Sequence, residues 1–273
     1  MKILAIGDFH GTFPKKFERL IKKEKIDLVV SNGDFFPFIY RDVWFTHCYR
    51  TDVNLWDVIG RKKYVALVKK DLKLGDRALH ALNKVPVPVI TVVGNIDYTS
   101  LQDSYDERPP KEDLRRQDLL NPLLRNYKNI YRFDYSYFVF GNYVFIGAYG
   151  GSSPGLVKSR HYKKYRKKLE VLFKRFKGKK IIFVSHNVPY NTKLDKIGRH
   201  AHVAVRGKHY GSKLIRRVID RWQPLVHLGG HIHEGRGKQT LGKTLCVNPG
   251  AAHEGQAAVI TLNAEKVKVT FIN

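Results

Sequence analysis

Five short polar clusters carry the residue types of a divalent-cation site: Asp8-Phe9-His10, Gly33-Asp34, Gly94-Asn95-Ile96-Asp97, Ser185-His186 and His231-Ile232-His233. They offer two carboxylates from Asp8 and Asp34, an amide oxygen from Asn95, and four imidazoles from His10, His186, His231 and His233. Such mixed nitrogen and oxygen donors suit borderline metals such as Mn, Fe, Ni or Zn better than Ca or Mg, which favour oxygen alone. One carboxylate shared by two ions can hold them about 3.5–4 Å apart, and ions so placed lower the pKa of water and offset anionic charge. Each cluster alone is weak, because this composition gives about 0.7 Asp-x-His pairs by chance. A second His-x-His, His200-Ala201-His202, has no strand in front of it. What separates the five is a shared context, a polar cluster closing an apolar run.

Strands must position these clusters. Lys2 to Gly7, Asp27 to Ser31 and Val87 to Val93 read as short buried strands, each running into one of the first three. Between the first two, Phe13, Phe17, Leu20 and Ile21 recur at helical spacing around Pro14, which opens a helix. This βαβ beginning predicts a largely parallel first sheet. Lys180 to Ser185 and Leu225 to Leu228 lead into the last two clusters. Between them Leu214, Ile215, Val218, Ile219 and Trp222 form a helical stripe with Ser212 as N-cap. Hairpins are expected over Tyr135 to Ala148 and over Ala257 to Ile272, and both suit a second sheet. Ligands of open α/β sheets bind beyond the carboxyl ends of the strands, where all five clusters fall. The stretches 35–82 and 100–126 depart from this alternation and are expected as insertions in a single domain spanning 1–273.

A chain of 273 residues can bury one large core, and 43% hydrophobic with 27% charged residues leaves little room for extensive disorder. Cys48 and Cys246 form no Cys-x-x-Cys pair, which argues against a disulfide framework or a thiolate zinc site. Met1 to Gly7 reaches Asp8 before a secretory signal can develop, and no run approaches the roughly 20 apolar residues of a membrane span. A cytoplasmic protein without a membrane partner is the expectation. Fifty Lys and Arg against 24 Asp and Glu leave a net charge of +26, far beyond what solubility needs. Such a field attracts nucleic acid, anionic lipid or phosphorylated substrates and weakens with salt. A lysine-rich thermophile surface is the plain alternative; one Met and two Cys favour it, while only eight Glu speak against it.

In this order the clusters resemble the five motifs of calcineurin-like metallophosphoesterases, covering positions 8 to 233. Val247-Asn248-Pro249-Gly250-Ala251 resembles a segment common in bacterial and archaeal members. The resemblance implies a four-layer α/β/β/α sandwich of two mixed sheets, with two divalent metal ions at the strand ends. It implies Asp8, His10 and His233 on one ion, Asn95, His186 and His231 on the other, and Asp34 bridging both. Manganese is the first expectation, with Fe, Ni or Zn as alternatives. By the same resemblance a metal-bridging hydroxide would attack phosphorus in line, and Asp97 would orient Asn95 from behind.

One position departs from the family pattern. Many members carry Gly-Asn-His-Asp or Gly-Asn-His-Glu, with a histidine that helps protonate the leaving oxygen, where this chain has Ile96. Isoleucine cannot donate a proton, and a missing general acid typically costs about 10²–10⁴-fold. Relatives lacking that histidine are often phosphodiesterases, so the resemblance implies a phosphodiester substrate, such as a nucleotide or nucleic acid, over a simple monoester. Two alternatives stand beside it: a nuclease acting on DNA or RNA, and a catalytically weak scaffold that keeps the fold.

Arg199, His200, His202, Arg206, Lys208 and His209 lie between the fourth and fifth clusters, where loops overhang the site in similar proteins. They are candidates for phosphate binding, with His200 and His202 first in line to replace the absent acid; a solvated basic loop is the plain reading. From Lys158 to Lys180, Tyr162, Tyr165, Leu169, Leu172 and Phe176 mark an amphipathic helix whose remainder is largely Lys and Arg. Such a face can track a nucleic-acid backbone, although charge runs are usually solvated faces. His47, His80, His161, His227 and His253 match no motif and are expected in core or surface roles, with a place along the pocket as the alternative for His253, which follows the Asn-Pro-Gly turn.

Overall fold

The strand period of two sets the layering. In β1 (Lys2–Ile6), Ile3 and Ala5 join one apolar cluster while Leu4 and Ile6 join another, so both faces of the strand are covered. The structure, a computed structural model, describes residues 1–49, 51–101, 110–151, 155, 157–198, 203, 205–263 and 266–273.

The first half runs β1, α1 (Lys16–Glu24), β2 (Leu28–Ser31), α2 (Arg41–His47), α3 (Leu55–Ile59), α4 (Arg61–Asn83), β3 (Val89–Thr91), α5 (Leu120–Leu124) and β4 (Ile130–Arg132). The second half runs β5 (Tyr137–Phe140), β6 (Tyr143–Ala148), α6 (Arg160–Arg175), β7 (Lys180–Asn187), α7 (Lys213–Trp222), β8 (Val226–Gly230), β9 (Gly237–Leu241), β10 (Thr244–Asn248), β11 (Ala257–Leu262) and β12 (Val267–Ile272). Two six-stranded sheets result, ordered β12-β11-β1-β2-β3-β4 and β5-β6-β7-β8-β10-β9. Strands β1 to β4 are parallel, as are β6, β7, β8 and β10, so the carboxyl ends that matter share one edge of each sheet.

Between the sheets lie Ile3, Ala5, Leu28, Val30 and Ile90 from one side and Phe145, Ile182, Val184, Val226 and Leu228 from the other. The alternate residues face helices. Leu4, Ile6 and Val29 pack with Phe17 and Ile21 of α1 and with Tyr64, Val68, Leu79 and Leu82 of α4. Ile146 and Phe183 pack with Tyr165, Leu169 and Phe173 of α6 and Ile215, Val218 and Ile219 of α7. The fold is therefore a four-layer α/β/β/α sandwich. Helix starts follow capping chemistry: the Ser159 hydroxyl accepts the Tyr162 N–H at 3.0 Å, and the Ser212 hydroxyl accepts the Ile215 N–H at 3.4 Å. The buried stripe of α6 turns inward at Phe173, which is fully buried, whereas Leu172 and Phe176 are only partly covered.

The C-terminal hairpin corrects an expectation. It joins the first sheet, not the second, because β11 pairs antiparallel with the free edge of β1, Ala5 opposite Ala258. That edge would otherwise bury unpaired N–H and C=O groups. The first sheet is consequently mixed. The second gains a hairpin that the apolar pattern did not announce, β9–β10, because the outer strand β9 carries Lys238, Gln239 and Thr240 and alternates between exposed and half-buried positions. No helix among the described residues is long and apolar enough to cross a membrane.

Candidate metal centre

Each predicted cluster leaves a strand at its carboxyl end, and the turns are tied to one another. The N–H of Asp8 donates to the Gly33 carbonyl at 2.9 Å, and those of Phe9 and His10 to the Asp34 carbonyl at 2.8 and 3.1 Å. The Asp97 carboxylate accepts three backbone N–H groups, from Asp34 at 2.9 Å, Phe35 at 2.7 Å and Gly94 at 2.8 Å. Four of the candidate ligands sit on left-handed backbone: Asp8 (φ 54°), His10 (43°), Asp34 (58°) and His231 (70°). Non-glycine residues there cost roughly 1 kcal/mol or more each, and such strain persists where surrounding structure enforces it.

Two groups of ligand atoms form side by side. In one, Asp8, His10 and His233 bring their atoms within 4.8 Å of one another, and Asp34, His186 and His231 do the same in the other. The Nδ1–H of His186 donates to the Asn32 carbonyl at 2.9 Å, which leaves its Nε2 as an acceptor. That Nε2 lies 2.8 Å from Asn95 Oδ1, 3.1 Å from His231 Nδ1 and 3.3 Å from Asp34 Oδ2. In the first group His10 Nε2 is buried without a protein partner, and His233 Nε2 stands 3.2 Å from Asp8 Oδ1. Lone pairs converging on lone pairs repel unless a cation or proton stands between them. The donor sets therefore fit two divalent cations of borderline softness.

A sequence model of the family described as "Metallophosphoesterase, calcineurin superfamily" matches residues 1–272. The chain belongs to this superfamily. Membership implies metal-dependent hydrolysis of a phosphoester, with divalent cations as cofactors. An uncharacterized protein of Methanocaldococcus jannaschii is 26% identical over 254 residues, covering 91% of this chain and 88% of its own length. The Thermus thermophilus protein TT1561 shares the fold with a TM-score of 0.55 at 17% identity, covering 98% of this chain and 97% of its own. A dimetal phosphatase from Danio rerio superposes with a TM-score of 0.52 at 10% identity, covering 100% and 96%.

Burial and crowding set the charge state of the metallophosphoesterase site in the absence of ions. Asp34 is pushed well above the usual carboxylate range by burial and by the neighbouring Asp97 and Asp8. Burial also raises Asp97 to about 6, despite its three N–H donors. Asp8 goes the other way: burial pushes it up, but the hydrogen bond and charge of His233 outweigh that and hold it low. Burial lowers His10 and His231 to about 3 and depresses His186, so these imidazoles are neutral and able to ligate.

All seven predicted ligand residues come together at this candidate centre. Asp97 lies behind them and grips the backbone of the Asp34 turn and of the Gly94 turn that carries Asn95. Arg199, His200 and His202 lie outside the described residues. His209 donates its Nδ1–H to the buried Asp195 carboxylate at 2.7 Å. His253 lies beside the site. Its Nδ1–H donates to the Asp8 carbonyl at 2.9 Å and its ring stands 4.6 Å from that of His10. The β11–β1 pairing carries residue 253 back beside residue 8.

Gly94 leaves room for the Asp34 carboxylate, with which a Cβ at this position would collide. Gly94→Ala is expected to fold with a stability loss of about 2 kcal/mol or more and to bind Mn²⁺ at least about tenfold more weakly. Thermal melts and calorimetric Mn²⁺ titration check this; wild-type affinity would contradict it.

Proposed function

We propose that this metallophosphoesterase hydrolyses phosphodiesters and activated esters in preference to simple monoesters, using two divalent cations with manganese the first choice over Fe, Ni or Zn. In this reading Asp8, His10 and His233 hold one cation, Asn95, His186 and His231 hold the other, and Asp34 serves both. The cations supply an activated water and offset the charge of the phosphoryl oxygens. The protein's own part is positional. Asp97 pins the turns that carry Asp34 and Asn95, and the low-lying imidazoles stay neutral near pH 7. The two buried thiols of Cys48 and Cys246 form no disulfide and suit a reducing compartment, which supports a cytoplasmic setting for the activity.

The observation that carries the diester preference is Ile96. Its backbone N–H donates to Asp34 Oδ1 at 3.2 Å, and its half-buried side chain packs against the first apolar cluster, with no proton to offer a leaving alkoxide. Turnover of bis-p-nitrophenyl phosphate well above that of p-nitrophenyl phosphate supports the reading, and equal turnover overturns it. Complete inertness toward both across Mn, Fe, Ni and Zn would favour a binding scaffold instead.

Cation affinity should depend on pH. Asp34, a candidate ligand, is raised well above the usual carboxylate range in the fold, so ligation must expel its proton, and affinity is expected to climb with rising pH. Mn²⁺ titrations in buffers of different ionisation enthalpy should register net proton release below pH 7. Affinity independent of pH between 5 and 7 would contradict the carboxylate assignments.

A further inference from the structure

Helices α6 and α7 cover the outer face of the second sheet, and their solvent side is strongly cationic. On α6, Lys163, Lys167 and Lys174 are exposed on the same side as Glu170, which pairs with Arg221 of α7 at 3.0 Å. On α7, Lys213, Arg217 and Arg221 recur every four residues, about 6 Å apart along the axis. Between the helices lies a cleft of about 540 Å³, lined by these three residues together with Tyr162, Tyr190 and Arg216. Glu170 and Asp220, which pairs with Arg216 at 2.9 Å, offset only part of this charge.

The Lys213 end of the cleft lies on the same side of the second sheet as the strand ends that carry the candidate ligands. Helix α7 leads into β8 and runs back against it, so its Lys213 end lies at the carboxyl ends of the strands. Tyr190 follows His186 by four residues, and this segment is tied to the start of α7: Ser212 N–H donates to the Val188 carbonyl at 2.8 Å, and Tyr190 N–H to the Ser212 carbonyl at 3.2 Å.

We propose that the α6–α7 cleft is a nucleic-acid track that seats the sugar-phosphate backbone of DNA or RNA along the cations of α7, Lys213, Arg217 and Arg221, with the exposed lysines of α6 adding to the field beside it. Delivery of the seated strand to the metal centre rests on the phosphodiesterase reading; the binding itself does not. Backbone contacts of this kind release counterions, so affinity falls with salt, with a logarithmic slope of about 0.7–0.9 per phosphate engaged.

The test uses the full chain in EDTA and labelled 30-nucleotide single-stranded DNA, single-stranded RNA and duplex DNA, read by fluorescence anisotropy from 50 to 200 mM KCl. The triple variant K213E/R217E/R221E, at three cations that line the cleft, is compared with K62E/K69E/K73E, which makes the same charge change on exposed positions of α4. The cleft variant should bind at least about 30-fold more weakly, with its salt slope reduced by roughly 2, and the α4 variant should stay within about threefold of wild type. Thermal melts confirm that both variants fold. The three probes distinguish strand type. Equal loss in both variants, no salt-dependent binding, or binding to phosphatidylserine vesicles but to none of the nucleic acids would each overturn the proposal. Inertness toward bis-p-nitrophenyl phosphate with cleft binding intact would remove only the phosphodiesterase reading.

Discussion

Asp34→Asn is expected to reduce hydrolysis of bis-p-nitrophenyl phosphate by about 10³-fold while leaving the cation-free protein at least as stable as wild type. The activity loss follows from the proposed shared carboxylate: withdrawing it weakens both cations by several kcal/mol together, and each 1.36 kcal/mol is about tenfold. The stability half follows from the site's electrostatics. Asp34 is buried beside Asp97 and Asp8, and its folded value lies well above the ordinary 3.8. A group raised in this way is most favourable to folding at low pH, and its contribution is lost as pH rises through its folded value. At pH 8 in EDTA the wild-type carboxylate is therefore a liability, whereas asparagine carries no charge and keeps an oxygen for the Ile96 N–H. Melting in EDTA and turnover in Mn²⁺ separate the two effects. Activity within tenfold of wild type, or a melting point several degrees lower, would remove Asp34 from its proposed role.

Ile96→His should raise turnover of alkyl phosphate esters by about 10²-fold and leave p-nitrophenyl esters within about threefold. A nitrophenolate leaves without help from a proton, whereas an alkoxide does not, so only the second gains from an acid at this position. Isoleucine is half-buried at the edge of the first apolar cluster, and an imidazole of comparable size needs little repacking there. The measurement is the ratio of kcat/KM for glycerol 2-phosphate to that for p-nitrophenyl phosphate in variant and wild type. An unchanged ratio would mean that proton supply at position 96 does not govern leaving-group preference.

The residues of the candidate centre were readable because each belongs to a local pattern: an apolar run sets a strand, and the polar residues that stop it must lie at its carboxyl end. Asp8, Asp34, Asn95, His186 and His231 all obey that rule. Long-range pairing has no such local trace. Nothing in Ala257 to Leu262 says that it lies against β1 instead of in the second sheet, and the contact of His253 with the Asp8 carbonyl depends on that pairing. Strand β9 escaped notice because the outer strand of a sheet needs few apolar residues. Asp97 showed the converse limit. Its position in the motif was plain, but the three N–H groups it accepts come from two separate turns that only the fold brings together.

Both groups of candidate ligands straddle the gap between the sheets. Asp8, His10, Asp34 and Asn95 come from turns of the first, and His186, His231 and His233 from β7 and the turn after β8 in the second. Occupants of both groups would act as rivets through two plates otherwise joined mainly by greasy contact. Catalytic competence and mechanical integrity would then share the same fasteners: a molecule stripped of them would be free to splay at that rim, and prying the plates apart would first mean breaking coordinate bonds.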